Sequence, residues 1–419
     1  MIMERGVDEK VMERSASSSS ERYVEFMEDS CCSQFCTGPN PGMARYVYGL
    51  IFLLTNLLAW AVRDYGQNFL SELKRLQGCQ GGRDCLGTEG VLRVSLGCFV
   101  YYFIMFLSTA GAKKLNGARD SWHSGWWAAK ILLWLALMML PFLIPSSFIL
   151  LYGEVAHFGA GVFLLIQLIS IISFITWLNH FCCSEKNADK CRVYVLATSI
   201  AAYVASMSGI VMMYIWYVPQ ISCMLNIFFI TLTMALIQVM TCVSLHKKVN
   251  GGLLTPGLMG LYVVFICWCA IRSEPLTEIC NRKAEVAAKG DWLTYISFII
   301  ALLAMVIATF STGIDSKSFQ FRKDDVQTED DVPYGYGFFH FVFATGSMYF
   351  GMLLIGWNTH HKMQKWTIDV GWTSAWVRIV NEWLAACVYI WMLIAPLVWK
   401  NQQTAESSTE STYNIGSTF

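Results

Sequence analysis

Apolar runs long enough to cross a bilayer recur along most of the chain, separated by short polar stretches. A hydrocarbon core about 30 Å thick needs roughly 20 apolar residues at about 1.5 Å rise each. Runs of that kind extend from Tyr46 to Val62, Val94 to Ala110, Trp126 to Leu151 and Ala156 to Leu178. Three more run from Val193 to Val218, Ser222 to Leu245 and Gly257 to Ile271, the last of them short and extensible towards Leu253. The final three run from Trp292 to Phe310, Tyr336 to Trp357 and Ala375 to Trp399. The pattern predicts an all-α integral membrane protein of about ten transmembrane helices. Little more than Pro145, Glu154 and His157 separates the third run from the fourth, so Glu154 and His157 read as lying at a membrane–water boundary.

Composition agrees with the pattern. Charged residues make up 14% of the chain and hydrophobic ones 55%, with a mean hydropathy of +0.45, whereas a soluble domain carries about 25% charged residues. Sixteen Trp and eighteen Tyr suit rings anchored at two bilayer surfaces. A net charge of zero argues against nucleic acid as a partner. Three regions follow: a cytosolic tail over 1–43 with a Cys cluster, a membrane domain over 44–399, and a Ser/Thr-rich tail over 400–419 that reads as disordered. The stretch before Arg45 has scattered charges and no apolar core of a signal peptide, so the first span serves as the targeting signal.

With ten spans both termini share a side with the loops near Lys113, Lys186, Lys247 and Lys317. That side carries the larger share of Lys and Arg, an excess that shrinks once the distant Arg5, Lys10, Arg14 and Arg22 are set aside; it favours cytosolic termini. Cys79, Cys85 and Cys280 fall in loops on the opposite side, where disulfides persist. A Cys79–Cys85 bridge is one pairing, and it would leave Cys280 over, so another pairing stays open. Cys31, Cys32, Cys36, Cys182 and Cys183 lie near membrane boundaries on the cytosolic side and are palmitoylation candidates.

Small residues inside the runs predict helix packing. Ala197, Ala201, Ala205 and Gly209 recur every four residues as a seam, and Ser347 and Gly351 form a shorter one. Polar groups at membrane depth are costlier and more informative. Arg378 and Glu382 stand one turn apart on one face, which predicts an i,i+4 pair; interfacial snorkelling of Arg378 is the alternative. Lys130, four residues into the third run, carries the same ambiguity. Gln167, Ser170 and Ser173 cover one arc of the fourth span, and Asn56, Asn226, Gln238 and His340 are single polar groups in others. Each is either interhelical hydrogen-bond glue or part of a hydrophilic path for a lipid headgroup or small solute. Lys130, Gln167, Ser170, Asn226, His340, Arg378 and Glu382 are the lipid-path candidates.

Enzymatic chemistry is not evident. No Walker motif, H-E-x-x-H or G-x-S-x-G occurs, and the acidic run Asp324, Asp325, Glu329, Asp330 and Asp331 reads as a solvated loop. No catalytic residue, cofactor or metal is expected.

Several segments resemble one family. LLTPGLMGLYVVFICWCAIRSEP (Leu253 to Pro275) with the following Cys280-Asn281, YGYGFFHFVFATGSMYFGMLLIGWN (Tyr334 to Asn358) and WTSAWVRIVNEWLAACVYIWMLIAP (Trp372 to Pro396) are similar to segments of the serine incorporator (SERINC, or TMS membrane protein) family. VLRVSLGCFVYY after Cys85 and LIQLISIISF around Gln167 match as well. The resemblance implies ten helices in two subdomains bridged by a long oblique fourth helix. It also implies a role in membrane lipids: support of serine incorporation into phosphatidylserine and sphingolipids, and ATP-independent phospholipid scrambling through a polar groove. Implied partners are membrane phospholipids, sphingolipids or sterol, and lipid-synthesis enzymes, in an endomembrane or plasma-membrane setting. A serine carrier, an adaptor and a structural lipid-binding protein are the competing readings. Lys130, Gln167, Asn226, Glu274, His340 and Arg378 stand at matching positions, while Glu382 stands where relatives often have Ser.

Overall fold

A computed structural model describes residues 41–66, 86–112, 114–115, 117–183, 188–275, 280, 292–315, 332–358 and 367–416. The described residues form eleven α-helices: α1 Pro41–Tyr65, α2 Leu86–Thr109, α3 Ala118–Ser124, α4 Trp127–Met139, α5 Ser146–Cys183 and α6 Ala188–Tyr217, then α7 Met224–Leu245, α8 Leu254–Arg272, α9 Trp292–Ile314, α10 Tyr336–Leu354 and α11 Trp372–Gly416. In a bilayer every backbone N–H and C=O must be satisfied within the segment, which leaves these apolar runs helical. Eight of the helices are individually long and apolar enough to span. The pair Ala118–Ser124 and Trp127–Leu143, bent by 67° at its break, is apolar enough to make a ninth span if the two pieces are counted as one. The apolar stretch Phe298–Ile314 of α9 accounts for the remaining run. The protein is a multi-pass α-helical membrane protein.

The boundary between the third and fourth runs lies elsewhere than the hydropathy suggested. α4 ends at Met139 and passes through a 3₁₀ turn, Leu140–Leu143, before α5 begins at Ser146. Pro141 and Pro145 cannot donate to the helical ladder, so the chain breaks there rather than near Glu154. Glu154 and His157 therefore lie inside α5, where His157 Nε2 lies 3.2 Å from the Trp357 carbonyl oxygen. The apolar part of α11 ends at Val398, and the helix carries on into the polar 401–416 stretch that composition alone reads as disordered.

Two buried apolar cores result. The first gathers α1, α2, α4, α9, α10 and the N-terminal half of α5, from Ile149 to Phe163. The second gathers α6, α7, α8, α11 and the other half of α5, through Leu168, Ile172 and Ile175. With 38 residues, α5 is about 57 Å long and exceeds a 30 Å hydrocarbon core, so it must tilt or emerge from it. Among the described residues it is the helix that contributes fully buried side chains to both cores.

Close helix contact in lipid relies on small residues. The α10 seam is real: the Ser95 hydroxyl of α2 donates to the Ser347 carbonyl at 3.0 Å and sits where a Cβ on Gly351 would go. Of the α6 seam only Gly209 packs, close against Val264 of α8. Ala197, Ala201 and Ala205 are exposed, and the buried stripe is Ser199, Ala202, Ser206, Ile210, Met213 and Tyr217. Small residues occur on both faces of α6, and α8 packs on the second face, with Gly257 against Ala202 and Tyr203. Gln238 is likewise exposed and lies on no packed face.

Candidate functional site

The breaks in the helices set most buried charges. Arg93 of α2 is fully buried; its guanidinium donates to the Pro141 carbonyl and, at 2.7 Å, to the Ile144 carbonyl, and it pairs with Glu89 one turn earlier. It thereby supplies side-chain donors to backbone carbonyls at the point where the prolines interrupt the helix. Arg63 at the end of α1 plays the same part for α10: it donates to the Leu354 and Thr367 carbonyls at 2.8 and 2.7 Å and pairs with Asp64. Neither arginine was a candidate on sequence grounds, because both lie at the ends of apolar runs where charge is expected.

Lys130 is fully buried rather than snorkelling. Trp126, at φ 58°, breaks the chain between α3 and α4 and turns Lys130 back towards the end of α3. Its ammonium donates to the His123 carbonyl at 2.8 Å, an acceptor shared with the Tyr48 hydroxyl at 3.0 Å. A cation at a helix C-terminus meets both unsatisfied carbonyls and the negative end of the dipole. The rings of Trp127, Tyr48 and Trp122 surround it, their centroids 4.4, 5.3 and 5.4 Å away. His123 lies between, with Nδ1 3.1 Å from His340 Nε2 and Nε2 2.9 Å from the Tyr334 hydroxyl. Tyr336 stacks on His123 and donates to Asp120 at 2.7 Å. Burial pushes the Tyr334 phenol, which precedes α10, above its usual range, so it keeps its proton as a hydrogen-bond donor. Lys130 and His340 thus share one closed cluster at the end of the first core where α1 begins.

In the second core Asn226 donates to the Tyr217 carbonyl at 3.1 Å and approaches Glu274 at 3.4 Å, tying α7 to the ends of α6 and α8. Glu382 is fully buried and bonded to Thr233 of α7. The expected Arg378–Glu382 pair is absent: Arg378 pairs with Asp369 instead. Asp369 is held by its own backbone N–H, which donates to the Leu353 carbonyl at 2.8 Å, so the carboxylate arrives fixed in front of α11. An i,i+4 rule sees one helix and misses a partner brought in from the preceding loop. Ser170 donates to Asp315 at 2.7 Å.

Between the two cores lies a cavity of about 250 Å³. Phe163, Leu164 and Gln167 of α5 form one wall, and Tyr262, Phe265, Ile266 and Cys269 of α8 another. Ala301, Ala304, Met305 and Ala308 of α9 and Tyr349 and Leu353 of α10 face them, with Arg378, Asn381 and Asp369 completing the lining. Of the lipid-path candidates it brings together Gln167 and Arg378; Lys130, Ser170, Asn226, His340 and Glu382 do not line it. Its surface is mostly apolar, with an ion pair, two amides and two phenols at the depth of the apolar runs.

Cys280 is bonded to Cys223, with Cα atoms 5.8 Å apart, a partner that was not considered from sequence. Cys223 had been read as the start of an apolar run, not as a loop cysteine. Cys79, Cys85, Cys31, Cys32 and Cys36 lie outside the described residues, as do the side chains of Cys182 and Cys183 and the whole 324–331 acidic run.

A family model described as Serine incorporator (Serinc) matches residues 24–331 and 320–402. The chain is 27% identical over 341 aligned positions to a probable serine incorporator of Dictyostelium discoideum, covering 75% of this chain and 81% of the relative. It is 25% identical over 430 positions to one of Nematostella vectensis, covering 89% and 94%. Serine incorporator 3 of Mus musculus is 23% identical over 448 positions, covering 88% and 93%. With both segments of the family model spanning the two cores, the chain belongs to the serine incorporator family.

Proposed function

We propose that this protein moves phospholipids passively between leaflets along the cavity between its two cores, and that it supports serine incorporation into membrane lipids by that route. The observation that carries the reading is the Arg378–Asp369 pair in the wall of that cavity, beside Gln167, Asn381 and Tyr262. A zwitterionic headgroup presents an anionic phosphate and, in many lipids, a cationic amine. The pair offers a partner to each, and the apolar remainder of the wall accepts acyl chains. Ion pairs at membrane depth are expensive unless they serve a site or a fold.

The termini are cytosolic on this reading. The Cys223–Cys280 disulfide supports it, since it sits at the end of the bundle opposite the Lys247 turn and disulfides persist outside the cytosol. Purified protein in liposomes with fluorescent phospholipids is the test: the expected result is leaflet exchange above protein-free vesicles, and exchange at the empty-vesicle rate overturns the proposal.

A serine carrier is the second reading, favoured by the modest volume of the cavity and by the same ion pair, which suits an amino-acid zwitterion. Uptake of radiolabelled serine into the same vesicles without lipid exchange would establish it instead.

A further inference from the structure

Glu382 lies in the second core, outside the cavity, with no exposed surface. The groups facing it are few. From α7 comes Thr233, and from α8 the Cys267 thiol, which lies beside both. α5 and α6 present Leu168, Ile172, Ile210 and Met213 to this core. On its own helix Arg378 is the neighbouring cation, and Arg378 is held by Asp369. Among the described residues no cation therefore balances a carboxylate at this position.

The hydrogen bonds can be counted. Thr233 Oγ1 lies 2.7 Å from Glu382 Oε1 and 2.8 Å from the Phe229 carbonyl oxygen. A hydroxyl has one proton to donate and two lone pairs with which to accept. If Glu382 were ionised, its oxygen and the Phe229 carbonyl would both be pure acceptors, and the single hydroxyl proton could fill only one of those two contacts. If Glu382 carries a proton, its O–H donates to Thr233 Oγ1 and the Thr233 O–H donates to Phe229, so both contacts are filled. The second carboxyl oxygen, Oε2, is buried with no protein partner. That position is tolerable for the carbonyl oxygen of a neutral acid and costly for half of a charge.

We propose that Glu382 is a proton-binding site built into the second core, occupied while Arg378 is paired with Asp369. Arg378 and Glu382 are one helical turn apart, within side-chain reach. When Arg378 leaves Asp369, it can neutralise a Glu382 carboxylate. The acid O–H bond then breaks, and the proton passes to water or a buffer base entering by the cavity that Arg378 lines. Proton release and opening of the ion pair in the cavity wall are thus one event, whichever solute the cavity carries.

The test is an infrared spectrum of the full chain in phosphatidylcholine vesicles at neutral pH, in H₂O and D₂O, and it does not depend on lipid exchange. The wild type should show the carbonyl stretch of a protonated carboxyl, shifting in D₂O and lost in Glu382→Gln. Its absence from the wild type, or its persistence in the variant, overturns the site. Thr233→Val leaves Glu382 in place and should move the band to the higher frequency of an unbonded acid, which assigns it even where Glu382→Gln folds poorly. In Asp369→Asn, Arg378 is freed for Glu382 and the band should be lost; an unchanged band there overturns the linkage to the ion pair.

Discussion

Arg378 is paired with Asp369, which its own backbone N–H ties to the Leu353 carbonyl, and not with Glu382 one turn along α11. The pair ties the loop anchored on the end of α10, in the first core, to the first turns of α11, in the second, and it stands in the cavity wall. It holds the two cores together at the point where the proposed lipid path has its only charges among the described lining residues.

Asp369→Asn removes that link. The protein should lose about 1–3 kcal/mol of stability, and lipid exchange per folded molecule should rise several-fold as the cavity opens more often. Dithionite quenching of fluorescent lipid in vesicles measures the rate. An unchanged or slower rate would show that the ion pair is no barrier to exchange.

Lys130 is a capping group on this structure, since its ammonium donates to the His123 carbonyl near the end of α3 among aromatic rings. Lys130→Met keeps much of the volume and removes the donor, at a cost of about 1–3 kcal/mol. Thermal unfolding should fall accordingly, while exchange per folded molecule stays within about twofold of wild type, a difference worth less than about 0.5 kcal/mol. A large loss of exchange without a loss of stability would return Lys130 to the lipid path.

Arg93→Ala strips the donors from the proline break and leaves Glu89 buried without its Arg93 partner. Removing one member of a buried ion pair costs about 3–5 kcal/mol. Fluorescence-detected size exclusion after a heat step should show little folded protein. Replacing both Arg93 and Glu89 with residues of similar volume should recover part of the loss.

The Cys223–Cys280 bridge spans 57 residues. A loop of that length contributes at most about 4 kcal/mol through the unfolded chain, and less here because the spans α7 and α8 already restrain it. Digestion without reduction should recover the two cysteines in one linked peptide pair. Cys223→Ser with Cys280→Ser should lower the unfolding temperature by a few degrees and leave the helices intact.

What the chain determined by itself was the helices and the family. Long apolar runs in water-free surroundings have few options but to become helices, so most spans could be read from hydropathy within a few residues. The motif segments around Leu253, Tyr334 and Trp372 were sufficient for the family. Tertiary structure decided the partners. Which face of α6 packs could not be read, because small residues line two faces and lipid rewards neither over the other. Arg378, Lys130 and Cys280 each found a partner on a different element, and the cavity itself exists only where α5, α8, α9, α10 and α11 meet. Local spacing reports on one helix at a time. Charges at membrane depth are settled by whichever open carbonyl or counter-ion the fold brings within about 3 Å, and that is a property of the assembled cores.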